Sequence, residues 1–234
     1  MKIIGIDSSG LVASVAILED DKLVAEYTID YKITHSQTLL PMLDEICRMT
    51  EQDLTAIDAI AVAAGPGSFT GLRIGSATAK GLGLALSKPI IAVPTVDAIS
   101  MNLWGTTSLV CPMMDARRQQ VYTGLYSFED GSLNVIKEQC AVSLEEICEE
   151  INKLGRDVIL LGDGIPVYKE LLTGLLKVNY SFAPPHMARQ RAGALCTLAA
   201  QYMRDGKIQP ADEHSPIYLR LSQAERERAE HGAQ

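Results

Sequence analysis

Apolar residues arrive first in short blocks and then in a four-residue rhythm. Residues 2–7 (KIIGID), 12–18 (VASVAIL) and 22–30 (KLVAEYTID) are separated by a small-residue turn and by the acidic EDD. Short runs punctuated in this way predict an antiparallel meander. Over residues 36–50, Leu39, Leu40, Leu43, Ile46 and Cys47 recur at helical spacing. Pro41 has no N–H to give, so it is expected in or just beyond the first turn, with the cap at Ser36 or Thr38. Residues 57–64 predict a buried strand, GPGSFTG a turn, 72–86 a helix, 89–93 a strand and 96–103 a short helix. WGTTS at 104–108 interrupts the pattern, and a second series begins. It comprises strands at 109–114, 120–128 and 133–138, a helix from a cap at Ser143 to Leu154, a strand at 158–162, and helices at 166–175 and 192–205. Glu146, three residues after Ser143, completes a capping box. The order β-β-β-α-β-α thus occurs twice. It predicts an α/β protein of two halves, 1–104 and 105–223, each a mixed sheet flanked by helices. Residues 224–234 alternate in charge and predict a frayed or disordered tail.

Composition narrows the function classes. A chain of 234 residues has ample material for one large domain or two small ones. No apolar stretch approaches the roughly 18 to 20 residues of a membrane span. The opening MKIIGIDSSG offers a single Lys and then a strand-like run, not a secretory signal. Five cysteines, an odd number without C-x-x-C, read as reduced thiols of a cytoplasmic chain. No two of the four histidines stand three to five residues apart, so neither a zinc site nor a Cys–His nucleophile has sequence support. Lys+Arg 21 against Asp+Glu 29 gives a net charge of -8. A chain this acidic is a poor nucleic-acid binder on its own, although the total does not exclude a local basic patch.

GPGSFTGLRIG, residues 65–75, is the densest chemical signal. Following a strand and opening a helix, it could cradle a phosphate, or it could be a tight turn needing positive φ. It lacks the G-K-[ST] of a Walker A loop, the G-x-G-x-x-G spacing of a dinucleotide fingerprint and the G-x-S-x-G of a nucleophile elbow. In the following helix Gly71, Gly75, Ala79 and Gly83 recur every four residues. Each interior glycine costs a helix about 1 kcal/mol, so the stripe asks for close packing, either on its own sheet or on another subunit. Asp7, closing the first strand, either binds a metal-bound water near phosphate oxygens or bonds the turn at residues 8–10. Asp115–Ala116–Arg117 reads as a turn with an ion pair or turn bond, and Arg220 as a surface or interdomain anchor.

Together IGIDSSGLVASVAI, HSQTLLPMLDEI, GPGSFTGLRIGSATAKGLGLAL, MDARRQQVY and PIYLR, in order from residue 3 to residue 220, resemble the TsaB (YeaZ) family. Its members are non-catalytic partners in bacterial synthesis of the threonylcarbamoyladenosine of tRNA (t6A37). The resemblance implies the actin-like/Hsp70-like ATPase (ASKHA) architecture of two RNase H-like halves, and descent shared with the catalytic paralogue TsaD. TsaD-like proteins carry a metal-binding His-x-x-x-His after the glycine-rich helix and strand. The matching positions here are Thr95 and Ile99, in VPTVDAIS. Ile99 has no donor atom, and a lone Thr95 hydroxyl is a weak ligand. Downstream, GDG at 162–164 is short and turn-like, and Ser9 stands where many ATP-binding relatives have glycine. Asp7, Ser8 and Ser9 are therefore expected to be a vestigial phosphate site, with no cofactor and no metal.

The resemblance also implies that helices 36–50 and 71–86 associate with the same helices of a TsaD-type paralogue, or of a second copy, with the two dimers competing. Leu39, Leu40, Leu43, Ile46, Gly71, Leu72, Gly75, Ala79 and Gly83 are the candidate contacts, whereas Gly65, Gly67, Asp115, Arg117 and Arg220 are expected to be structural. A TsaE-type ATPase is the expected third partner, with tRNA reached through the complex. The alternative is an enzyme of the same superfamily. An ATP-dependent phosphotransferase predicts ATP binding that Asp7→Ala abolishes, and a metalloprotease needs the missing metal pair.

Overall fold

The computed structural model describes residues 1–31 and 34–220. The expected tail at 224–234 lies outside the described residues, as do residues 221–223. Among the described residues, ten strands form two five-stranded sheets. In the first, β1 (Lys2–Asp7), β2 (Ala13–Glu19) and β3 (Lys22–Ile29) make the antiparallel meander, and β4 (Ala59–Gly65) and β5 (Ile90–Pro94) continue in parallel beyond β1. The second repeats this with β6 (Leu109–Asp115), β7 (Gln120–Glu129), β8 (Ser132–Ser143), β9 (Val158–Leu161) and β10 (Tyr180–Phe182). The orders β3-β2-β1-β4-β5 and β8-β7-β6-β9-β10 correspond strand for strand. That is the RNase H-like order, and two such units in one chain make the ASKHA architecture.

The helices complete five layers. α1 (His35–Met49) and α2 (Phe69–Leu86) cover the outer face of the first sheet, where Leu39, Leu43, Ile46 and Ala79 meet Ile4, Ile6, Val15 and Ile17. α4 (Leu144–Leu154) and α5 (Ile165–Leu175) cover the outer face of the second. Between the sheets lie α3 (Thr95–Ser100) and α6 (Ala192–Arg204). Alternate residues of one strand serve different layers: Ile3 joins the α6 side, and Ile4 and Ile6 the α1–α2 side. Although it follows the second sheet in sequence, α6 packs on the first through Leu195, Cys196, Leu198 and Ala199. Residues 208–220 then run back along the first half.

Local chemistry moved several boundaries. α1 starts one residue early, after Thr34, which makes no side-chain cap, so the cap is not at Ser36 or Thr38. Pro41 consequently sits in the second turn. Its missing N–H leaves the Gln37 carbonyl without its i+4 helix donor, on an exposed residue. α2 begins at Phe69 because the Ser68 side chain accepts from Gly71 N–H at 3.3 Å. Ser143 and Glu146 form the reciprocal capping box at α4. β8 runs five residues past 138, and the short β10 lacks a strong sequence pattern.

Candidate functional site

The carboxyl ends of β1, β4 and β6 open onto a cleft of about 1330 Å³ between the two halves. Its floor is the Asp7 loop pressed beneath the GPG turn. Asp7 is buried, and its Oδ1 accepts from Ser9 N–H at 2.9 Å and Ser9 Oγ–H at 2.6 Å, whereas Oδ2 has no partner among the described residues. Burial raises this carboxyl to about 6, against the lowering effect of the Ser9 bonds and the nearby His35. Ser8 Oγ donates to the Gly71 carbonyl at 2.8 Å, and Ser9 O accepts from Ser68 N–H at 2.7 Å. Both serines therefore bond to the turn above them.

The glycines permit that closeness. A Cβ on Gly67 would strike the Ser9 carbonyl, one on Gly71 the Ser8 carbonyl, and one on Gly75 would lie 2.5 Å from Ser8 Oγ. Gly65, at φ +117°, lies under Ile217, whose N–H donates to the Ala64 carbonyl at 2.7 Å. Ile217 belongs to a strap, residues 208–220, that continues over the cleft. Tyr218 packs at a tilt on Phe69 with 4.8 Å between ring centroids; the Arg73 guanidinium lies 4.1 Å from the Phe69 centroid and its Nε–H donates to the Tyr218 hydroxyl at 3.3 Å, and Arg220 donates to the Ala116 carbonyl at 2.6 Å. From the second half, Asp115 accepts from Arg117 N–H and from Tyr168 O–H, each at 2.8 Å, and its own N–H donates to Asp163 at 3.1 Å. Burial pushes the Asp163 carboxyl up.

These positions correct the expected contact surface. Of the nine candidate contacts, only Leu40 is exposed, at 53%. Leu39, Leu43, Ile46, Leu72 and Ala79 are core residues of the first half. Gly71 and Gly75 approach Ser8, and Gly83 approaches Ala211 of the strap. The close packing required by the glycine stripe is thus met within the chain. The outward face of α2 is a different row, Arg73, Ala77, Gly81 and Leu84, with Leu40, Pro41 and Asp44 of α1 beside it. A Cβ on Gly81 would meet nothing within 4 Å among the described residues.

Thr95 and Ile99 are both buried: Thr95 Oγ1 accepts from Gly65 N–H at 3.2 Å, and Ile99 packs with Val110 and Tyr126. Among the described residues, no three His, Cys, Asp or Glu side chains come together as a metal site, and no helix is long and apolar enough to cross a membrane. The sequence reading did not single out His35, Tyr122, Asp163 and Tyr168. Asp163 was visible only as the middle of GDG, and Tyr168 as an apolar position of a helix.

Fold and cleft define a protein of the ASKHA class. The family model for TsaD, tRNA N6-adenosine threonylcarbamoyltransferase, matches residues 22–228. The Bacillus subtilis tRNA threonylcarbamoyladenosine biosynthesis protein TsaB is 34% identical over 96% of each chain. Its Escherichia coli counterpart is 30% identical over 94% of this chain and 95% of its own. Among solved structures, YeaZ from Pseudomonas aeruginosa superposes with a TM-score of 0.81 at 26% identity, covering 93% of this chain and 99% of that one. The chain belongs to the TsaB (YeaZ) family.

Proposed function

We propose that this chain is a non-catalytic scaffold and activator subunit in tRNA N6-threonylcarbamoyladenosine (t6A37) biosynthesis, working in the cytoplasm. It heterodimerises with the catalytic TsaD-type paralogue and supports binding of a TsaE-type ATPase. The observation that carries the reading is the pair Thr95 and Ile99. At the positions matching the paralogue's histidines, one side chain is tied to the Gly65 backbone and the other is a core hydrophobe. Neither offers an open coordination position.

The partner surface is the outward face of the two helices. Leu40 and Leu84 are 53% and 59% exposed, and Ala77 and Gly81 between them are small enough for another helix to approach closely. A second copy presents the same face, so homodimer and heterodimer compete for it. The test is the light-scattering mass of the chain alone and mixed with a TsaD-type partner. The reading expects a homodimer that converts to a one-to-one heterodimer, and expects Leu40→Asp with Leu84→Asp to abolish both while the variant keeps the circular dichroism of the folded chain. An unchanged mass in the presence of an active partner overturns it. Heat of ATP binding to the isolated chain with magnesium would favour the enzymatic alternative.

A further inference from the structure

The β6–β7 connection carries Arg117, Arg118 and Gln119 at φ of 65°, 56° and 58°. Three successive non-glycine residues in the left-handed region are strained, because each Cβ crowds the following carbonyl. Bonds on every side hold the turn. Arg117 N–H donates to Asp115 Oδ1 at 2.8 Å, Ala116 N–H to the Gln120 carbonyl at 3.0 Å, Gln120 N–H to the Arg117 carbonyl at 3.1 Å, and Leu144 N–H to the Gln119 carbonyl at 3.2 Å. All of these use the main chain of residues 116–120, which glycine at 117 or 118 would supply without strain. What the strained turn keeps is the pair of guanidinium groups, both on exposed residues.

Arg220 reaches the same turn from the strap, through the Ala116 carbonyl. Among the described residues, no carboxylate lies within 4 Å of the Arg118 or Arg220 guanidinium, and Arg117 has only Asp115, at 3.3 Å. Of the other carboxylates lining the cleft, Asp30 lies 3.5 Å from Arg189, and Asp163 accepts from Asp115 N–H within the cleft itself. Phe69, Tyr122 and Tyr218 line the cleft that Arg117 and Arg220 border. Phe69 is packed against both Tyr218 and Arg73, so Tyr218, 40% exposed, and the half-buried Tyr122 are the rings the cleft offers. Guanidinium groups beside such rings suit a ligand that alternates anions with flat rings.

The geometry points to a single-stranded RNA contact at this rim, with Arg117, Arg118 and Arg220 on phosphodiesters and unstacked bases against Tyr122 and Tyr218. The choice of RNA rests on the tRNA-modification reading above; the anion chemistry rests on the arginines alone. With a net charge of -8 over the whole chain, the contact positions RNA at low affinity and is strongly salt-sensitive.

The test is fluorescence anisotropy of a labelled, unmodified anticodon stem-loop RNA, titrated with the full chain alone and with its TsaD-type partner at about 50 and about 200 mM salt. Binding should weaken steeply with salt. Arg118→Glu, an exposed change, should weaken it about tenfold at the lower salt and make the salt slope shallower by about 0.7 for each phosphate no longer neutralised. Arg156→Glu, at the opposite end of the second sheet, should leave it unchanged. An unaltered affinity in Arg118→Glu, equal binding of a fully paired RNA, or displacement of the RNA by ATP or inorganic phosphate at constant ionic strength each overturns the assignment. Light-scattering masses of the same variants separate this outcome from failure of the scaffold reading, because Arg118→Glu should leave partner association intact.

Discussion

Two glycines two positions apart in α2 should respond differently to alanine, only one of them with a gain in stability. Gly81 faces outward, and an added Cβ meets nothing within 4 Å. Gly81→Ala should therefore recover most of the helical penalty of glycine, up to about 1 kcal/mol. Gly83 faces the strap, where the same atom would stand 2.7 Å from Ala211 Cβ and 3.0 Å from the Lys88 carbonyl oxygen. Carbon atoms rest about 3.5–4.0 Å apart, so the overlap is close to an ångström against groups fixed to backbone. Overpacking of this kind costs about 1–3 kcal/mol. Offset by a smaller helix gain in the last turn, Gly83→Ala should come out neutral to about 2 kcal/mol destabilised. At about 2–4 °C per kcal/mol for a chain of this size, thermal and urea unfolding resolve the difference. Equal stabilisation by both alanines would refute the claim that the stripe is used within the chain, and would return it to the partner surface.

Other outcomes follow from the buried polar groups. Asp7 has a folded value of about 6 against an ordinary 3.8, so the folded state holds its proton more tightly and stability falls as pH rises from about 4 to about 6. Asp7→Asn keeps the Ser9 bonds and should stabilise the chain above pH 6 by up to about 3 kcal/mol, with the gain vanishing near pH 4; a pH-independent difference in urea stability would contradict this. Tyr126 O–H donates to the buried Asp97 carboxylate at 2.6 Å, and burial already raises Asp97. Tyr126→Phe should cost about 1.5–3 kcal/mol at neutral pH and less in acid, where the carboxyl is protonated, as urea titrations at both pH values would show. Ser143→Ala removes one arm of the capping box and should cost about 1 kcal/mol without changing the urea m-value.

Most of the architecture was readable because its signals are local. The meander, the β-α alternation and the Ser143–Glu146 box each depend on neighbours within a few residues. The packing partners of α6 were not readable, since nothing in AGALCTLAAQYMR says which sheet its apolar face meets. The glycine-rich helix shows the limit most clearly. Gly71-Gly75-Ala79-Gly83 and Arg73-Ala77-Gly81-Leu84 both present small residues at near four-residue spacing, half a turn apart. Periodicity finds both stripes, but choosing between them requires the long-range position of the Ser8 loop and the strap. The strained arginine turn was legible only as a motif, because its left-handed backbone has no glycine to announce it.

The two faces of α2 give the GPG motif a double consequence. Its inner face carries Gly71 and Gly75, against which the Asp7 loop closes the cleft floor, while its outer face carries the row available to another helix. A bulky residue on the inner row acts first on the fold: Gly75→Leu would displace Ser8 and its 2.8 Å bond to the Gly71 carbonyl. Loss of association in that variant would follow from a distorted helix and says nothing about the interface. A bulky residue at Gly81 has open space in the isolated chain, so any effect on dimer mass comes from the partner side. Gly81→Leu, not Gly75→Leu, is the substitution that addresses the proposed interface.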